Sequence, residues 1–404
     1  MNFPERFSKL PEYAFPRLRA LLAGHGPGPG PEAGPELGPE ITMTIGEPRH
    51  PMPDFLPEIL ARATAGFAHY PPNDGTPGLR GAIADWAEAR YDIALDPDSQ
   101  IMALNGTREG LFNAVLALCP EAKGTRRPIV LMPNPFYQVY AVAALAAGAE
   151  PVYVPATAAT GHLPDYAGLP PEVLDRTALA FICSPANPQG RVAPRPWWHE
   201  LLRLAEKHDF RVLSDECYSE IWRSGPPPGG LELVAEAGCD PERVVVFNSL
   251  SKRSNLPGLR SGFVAGGPEC IARIKQLRAY AGAPLPLPLQ AVAEACWRDE
   301  DHVKASRALY GEKYAIADEV LDGVPGYAPP EAGFFLWLPV PGGDGEAAAV
   351  KLWREAGVKV LPGGYLARSA GGETPGADHI RAAMVAPPAE VREGLTRLRA
   401  CLYG

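Results

Sequence analysis

Long apolar runs are absent from this chain of 404 residues, and none reaches the length needed for a helical membrane span. The opening Met1-Asn2-Phe3-Pro4-Glu5-Arg6 lacks the basic and then apolar order of a secretory leader, so the expected location is the cytoplasm. Positive charge is in deficit. Against 47 acidic residues stand 38 lysines and arginines, and the net charge of −9 argues against a general nucleic-acid binder. No C-x-x-C pair occurs; seven scattered cysteines fit free thiols and exclude a regular disulfide frame or zinc site. The eight histidines are equally dispersed, and no metal is expected. Internal repeats are missing as well. No basic helix-turn-helix segment precedes Ile41, which sets aside a transcription regulator.

What is present is an ordinary globular composition, 46% hydrophobic and 21% charged, in a chain too long for one core. From residue 100 to 265 short continuous apolar segments alternate with helical stretches. That alternation predicts an α/β fold with a mostly parallel sheet covered on both faces. A large domain is expected over 46–286. A smaller α+β domain is expected from 1–45 together with 287–404. Within it the pattern predicts a helix over 5–23, a strand over 41–45, a long helical stretch over 287–321, and strands over 358–361 and 379–385. Residues 24–40, with their G-P-G-P alternation, cannot sustain helix or sheet and read as a surface connector.

The polar residues of note fall where the predicted strands end, which is where such sheets bind ligands. After the β-branched run Val244-Val245-Val246-Phe247 comes Asn248-Ser249-Leu250-Ser251-Lys252, and Arg260 lies beyond a Leu-Pro-Gly turn. Two hydroxyls, an arginine and the slim Gly258 and Gly262 suit a lysine that condenses with the aldehyde of a phosphate-anchored cofactor. The bland alternative is a loop with a surface ion pair. Gly106-Thr107-Arg108 opens a helix whose free N–H groups suit a phosphate, or else Thr107 is a simple cap. Asp215, just past an apolar strand, needs a partner if buried, and a pyridinium nitrogen would serve. Asn187 and Tyr218 are placed to donate to a ring oxygen. Tyr137 offers a face for stacking, or packs in the core. Arg381 is suited to a bidentate carboxylate contact, or to a structural ion pair.

Taken together, these segments resemble a fold-type I pyridoxal-phosphate aminotransferase of class I/II, over nearly the whole chain. The resemblance is carried by Gly46-Glu47-Pro48, Tyr70, Gly106-Thr107, Tyr137, Asn187-Pro188, Asp215 with Tyr218, Ser249-Leu250-Ser251-Lys252, Arg260 and Arg381. It implies pyridoxal 5'-phosphate as cofactor and Lys252 as the Schiff-base and proton-shuttling residue. It also implies Asp215 on the pyridine nitrogen, with Asn187 and Tyr218 on the ring oxygen. Gly106, Thr107, Ser249, Ser251 and Arg260 would hold the phosphate, with Arg108 and Tyr137 also at the cofactor. Arg381, Asn187 and Gly46 would hold the substrate. Tyr70 would reach the phosphate of a partner subunit, which implies a homodimer.

A finer resemblance is to bacterial N-succinyl-LL-2,6-diaminopimelate aminotransferases. It rests on Pro133-Asn134-Pro135-Phe136-Tyr137-Gln138, Asp215-Glu216-Cys217-Tyr218-Ser219-Glu220-Ile221 and Val360-Leu361-Pro362-Gly363-Gly364-Tyr365-Leu366-Ala367-Arg368. It implies transfer from that succinylated donor to 2-oxoglutarate, in diaminopimelate and lysine biosynthesis. Gln189 and Gly364 depart from the usual threonine and serine. Dicarboxylate-specific relatives carry an arginine in the segment matching 280–284, where this chain has Tyr-Ala-Gly-Ala-Pro, which argues against aspartate as donor. Arg278 and Arg368 are the expected partners of the distal carboxylates. A transaminase of other amino acids, or a lyase or decarboxylase on the same fold, would share every cofactor residue. Neither nucleic acid nor membrane is expected as a partner.

Overall fold

Apolar runs without polar alternation form strands buried on both faces; six such strands and a half-buried edge strand build the central sheet. The structure, a computed structural model, describes residues 5–8, 10, 12–26 and 38–404. After a two-residue β1 (Ile41–Thr42) come β2 (Ile101–Leu104), β3 (Ile129–Asn134), β4 (Glu150–Pro155), β5 (Thr177–Cys183), β6 (Arg211–Asp215), β7 (Val244–Ser249) and β8 (Gly262–Gly266). Their spatial order is β2-β8-β7-β6-β5-β3-β4. The pairs from β4 to β7 are parallel, while β8 runs antiparallel to both β7 and β2. Alternate residues of one strand feed two separate cores. Val130 and Met132 pack with Leu111, Tyr140 and Ile271, whereas Ile129 and Leu131 pack with Trp198, Leu201 and Leu233. The α/β expectation holds, with a mostly parallel sheet between helical layers.

Beyond this sheet lie β9 (Phe335–Pro339), β10 (Val358–Lys359), β11 (Leu361–Pro362) and β12 (His379–Ala383). β11-β12-β9 form an antiparallel sheet, and β1 pairs with β10. Ile41, Met43, Leu336, Leu352 and Leu395 share one core there with Tyr314 of the long helix Asp301–Val320.

Several local expectations need correction. The helix expected over 5–23 is two, Glu5–Ser8 and Ala14–Leu22; Pro11, lacking an N–H, falls between them in sequence. The strand expected over 41–45 stops at Thr42, because the Met43 carbonyl turns to accept from Ala383 N of another sheet (2.8 Å). The segment expected as one strand over 358–361 is split between β10 and β11, which join different sheets. The helical stretch over 287–321 breaks into Leu287–Arg298 and Asp301–Val320. Arg253 enters at that break and donates to the Cys296 carbonyl (2.6 Å) and to Glu300. Helix Leu287–Arg298 packs with Leu79, Trp86 and Phe263, so we propose a domain boundary at Asp299-Glu300 rather than at 286. The helices Gly230–Ala237 and Pro268–Arg278 had no sequence counterpart. The heart of the Gly/Pro-rich connector, 27–37, lies outside the described residues.

Gly258 and Gly262 separate on this evidence. A methyl group on Gly262 would sit 2.6 Å from the Asn248 carbonyl oxygen of β7, whereas one on Gly258 meets nothing. Gly262→Ala should therefore cost about 1–3 kcal/mol by overpacking. Gly258→Ala should stay within about 0.5 kcal/mol of the parent. Urea unfolding of the two variants checks the contrast.

Candidate active site

Parallel strands deliver their C-terminal ends to one edge of the sheet, and the segments leaving that edge enclose a crevice. Here β6 ends in Asp215, β7 runs into the four-residue helix Leu250–Arg253 that bears Lys252, and β5 leads to Asn187. Helix Thr107–Leu118 points its start at the same place, and β12 brings Arg381 across. These groups line one cavity of about 390 Å³.

Lys252 lies on a helix rather than the expected loop. It is partly buried, and its Nζ donates to the Gly46 carbonyl. No carboxylate pairs with it among the described residues, so the surface ion-pair alternative fails. Burial lowers its pKa from 10.5 to about 8, which favours the neutral, nucleophilic amine. Gly46 must be glycine here, since a Cβ would lie 2.6 Å from the Phe335 ring.

Asp215 is buried and forms no ion pair among the described residues, although the Lys252 charge is near enough to favour its ionised form. It accepts from Tyr140 Oη (2.7 Å) and from Cys217 N (3.4 Å). Burial pushes its pKa up, opposed by these hydrogen bonds. A cationic N–H facing the cavity would relieve that cost. Tyr140 is a site residue the sequence reading missed. It is fully buried and stacks on Phe181 at 4.1 Å. Its only sequence signal is the apolar helix on which it sits.

Arg381 makes the strongest electrostatic statement. It is buried, yet its Nη1 donates to Asn187 Oδ1 (3.0 Å) and its Nη2 to the Thr44 carbonyl (2.7 Å), both neutral. Its Nε has no partner, and the guanidinium lies over the Phe335 ring at 4.1 Å. Burial pulls its pKa down to about 10. The structural ion-pair alternative therefore finds no carboxylate among the described residues, and a buried cation of this kind calls for an anionic ligand.

On the opposite side a cup is suited to phosphate. The helix cap is Gly106, at φ 84°, so the alternative of Thr107 as cap fails. Thr107 Oγ1 instead meets Cys217 Sγ at 3.1 Å. A Cβ on Gly106 would collide with the Arg260 guanidinium, which among the described residues hydrogen-bonds two carbonyls, Pro257 and Asn105, and forms no ion pair. Ser249 Oγ is committed to Ser251 Oγ (2.9 Å) and the Ser261 carbonyl (3.1 Å), which orients Ser251. Free helix N–H groups, hydroxyls and an arginine without a carboxylate fit a phosphate dianion. Tyr137 lines the cavity and packs on the core at once, its hydroxyl held by Arg108 Nε (2.8 Å). Tyr218 lines it too, wedged edge-on between Phe334 and Phe335.

Other residues fall differently. Tyr70 is fully exposed and outside this cavity. Gln189 and Gly364, the two departures, do not line it either. Arg278 is 1% exposed, paired with Glu109 (3.0 Å) and bonded to the Ala103 carbonyl, so the expectation that it reads a distal carboxylate is corrected. Unforeseen by the sequence, Tyr13, Ala14 and Phe15 close one wall. Their helix is anchored by Arg17, which stacks on Tyr365 at 3.8 Å.

A lowered lysine, an unpaired buried carboxylate, a phosphate cup and a carboxylate-seeking arginine in one crevice of this fold define a fold-type I pyridoxal-phosphate enzyme. The model of the class I and II aminotransferase family matches residues 39–398, and the chain belongs to that family, which uses pyridoxal 5'-phosphate. Among curated relatives, an LL-diaminopimelate aminotransferase of Desulforudis audaxviator is 32% identical, covering 100% of this chain and 99% of its own. A solved aminotransferase of Neisseria meningitidis superposes with a TM-score of 0.92 at 38% identity, over 98% of this chain and 99% of that one. A Thermus thermophilus structure named as a probable N-succinyldiaminopimelate aminotransferase has a TM-score of 0.80 at 29% identity, over 90% and 95%.

The lowered Lys252 gives a pH signature. Below about pH 8 the amine is mostly protonated, so capture of pyridoxal phosphate by cofactor-free protein should rise about tenfold per pH unit and level off above about 8. Stopped-flow absorbance measures this. Lys252→Ala should lose the visible band and turnover at every pH; parental turnover in that variant would remove Lys252 from the chemistry.

Proposed function

We propose that this aminotransferase acts on a long donor of the diaminopimelate type, N-succinyl-LL-2,6-diaminopimelate, with 2-oxoglutarate as acceptor. When bound, pyridoxal phosphate supplies the electron sink that lets a Cα–H bond be broken. In this reading Arg381, with Asn187, fixes the substrate α-carboxylate so that the Cα–H bond faces Lys252. Lys252 Nζ then takes the Cα proton, while Asp215 holds a proton on the ring nitrogen. Tyr218 and Asn187 orient the ring oxygen, and Gly106, Thr107, Ser251 and Arg260 grip the phosphate, with Ser249 behind them.

One observation carries the substrate assignment. Arg368 is half-buried and has no carboxylate partner among the described residues, and its guanidinium lies 5.5 Å from the centre of the Phe136 ring that lines the cavity. Its backbone is clamped at two points by the fully buried Asn134, 2.8 and 3.0 Å. We read this guanidinium, which donates to the Ala367 carbonyl (2.8 Å) and sits behind Phe136 without itself lining the cavity, as the partner of the far carboxylate of a long donor. Nothing basic occupies 280–284, which disfavours a short dicarboxylate. A second reading, LL-diaminopimelate itself, is favoured by the relatives bearing that name at 29–32% identity.

A donor screen separates the two. The succinylated donor should exceed LL-diaminopimelate and aspartate in kcat/KM. Loss of one charge-assisted contact in Arg368→Ala should cost it about ten- to hundredfold and spare short donors. Preference for unsubstituted LL-diaminopimelate would establish the second reading, and preference for aspartate would overturn both.

We further propose a homodimer in which Tyr70 reaches the partner's phosphate cup. Supporting it, Tyr70 and Tyr280 are almost wholly exposed, with Phe67 and Met52 also more than half exposed, an unusual display of large apolar side chains. Sedimentation should give a dimer, and Tyr70→Phe should weaken cofactor retention about fivefold through one lost hydrogen bond. A fully active monomer would sink the idea.

A further inference from the structure

Behind the cavity, a buried polar chain joins the two segments that meet at Lys252. Gly46, whose carbonyl accepts from Lys252, is followed by His50; Lys252 is followed by Asn255. Both lead to one hydroxyl. His50 Nδ1 lies 3.1 Å from Ser306 Oγ, which also accepts from Asn255 Nδ2 (3.1 Å) and reaches Asn255 Oδ1 (3.3 Å). The other ring nitrogen of His50, Nε2, accepts from Lys313 Nζ at 2.6 Å. Ser306, Tyr310 and Lys313 lie at i, i+4 and i+7, one face of helix Asp301–Val320. The Tyr310 ring packs 4.4 Å from His50. One turn earlier, His302 Nε2 meets Ser254 Oγ (2.8 Å), so consecutive residues after Lys252 are gripped by this helix.

Burial is deep: Lys313 is 0% exposed and has no carboxylate within ion-pair distance among the described residues, while nearby Arg49 is occupied by Glu390 (2.6 Å). Desolvation, aided by Arg49 and opposed by Glu312 and Glu390, lowers Lys313 to about 7; burial and Lys313 lower His50 to about 4. A neutral His50 has one donor and one acceptor nitrogen. The chain then runs from Lys313 to His50 and from His50 to Ser306, whose hydroxyl both accepts from the Asn255 amide nitrogen and donates to the Asn255 amide oxygen. A lysine buried without a counter-charge is costly, and packing alone would be met more cheaply by methionine. Asn255 adopts φ 56°, a left-handed conformation that asparagine tolerates, and so turns its amide to Ser306.

We propose that Lys313, His50 and Ser306 are positioning residues for transamination, holding the Gly46 carbonyl and the Lys252 helix at a set separation through one shared hydroxyl. The helix that carries Ser306 and Lys313 also contributes Tyr314 and Ala317 to the core that contains Leu395 and Leu352. Displacement of that helix therefore reaches the lysine directly. This rests on Lys252 being the cofactor-bearing lysine; failure of that assignment shows separately, as a visible band retained in Lys252→Ala.

The test uses the full-length holoenzyme with Ser306→Ala, which deletes only the shared hydroxyl, and Lys313→Met, which keeps the stem. Each should lower kcat about three- to tenfold with KM nearly unchanged. Each should also move the pH midpoint of the bound cofactor's visible band by about half a unit. In cofactor-free protein, amide exchange over 46–51 and 252–256 should accelerate about tenfold while strands β3, β5 and β7 keep parental protection. Ser306→Thr should restore all three readouts. Parental kcat, midpoint and local exchange in both variants would overturn the proposal. So would exchange accelerated uniformly through the sheet with an unmoved midpoint, the mark of a merely structural role.

Discussion

An arginine buried without an anion is the constraint around which this molecule closes. Arg381 comes from β12, donates to Asn187 in the loop after β5, and donates to the carbonyl of Thr44 just beyond β1. Three separate stretches of chain are thus tied at one cation whose charge remains unanswered inside the protein. The energetic cost of that arrangement is relieved only by a carboxylate entering the cavity. Asp215, in the lining of the same cavity, presents the complementary problem, a buried acid whose hydrogen-bond donors are neutral. In the proposed function, substrate and cofactor supply the charges that these two buried groups lack.

The sheet makes this possible by rigidity. β6 and β7 are buried on both faces and deliver Asp215 and the Lys252 helix side by side. Directly after Lys252, Arg253 is sealed near Trp297, 4.7 Å from its ring, and grips the break between two helices. The lysine is therefore fixed from the strand before it and from the residues after it. Among the described residues its side chain hydrogen-bonds the Gly46 carbonyl, a neutral partner that it can exchange, and lies 5.6 Å from the centre of the Phe334 ring.

Much of this was legible in the chain. Continuous apolar strands separated by helical stretches give a two-sided parallel sheet, and such a sheet puts its strand-end loops together. Residues whose type already states their chemistry, Lys252, Asp215, Asn187, Tyr218 and Arg381, were found because each follows or sits on a recognisable strand. Tyr140 was not, since a tyrosine within an apolar helix looks like core until its hydroxyl is seen on Asp215. Tyr13 and Phe15 were missed because no local pattern tells where a terminal helix docks.

Sequence by itself determined the local elements, the order of the strands along the chain and the chemical types available at their ends, because periodicity and residue chemistry act over a few residues. Tertiary structure alone decided which charges go unpaired. Arg278 and Arg368 look equivalent on paper, yet one is neutralised by Glu109 and the other faces no carboxylate. The helix break at Asp299-Glu300 is likewise imposed from outside, by an arginine some 46 residues away in sequence that takes the carbonyls at the end of the helix. Pairing, burial and competition for backbone carbonyls are long-range quantities, and only the folded arrangement sets them.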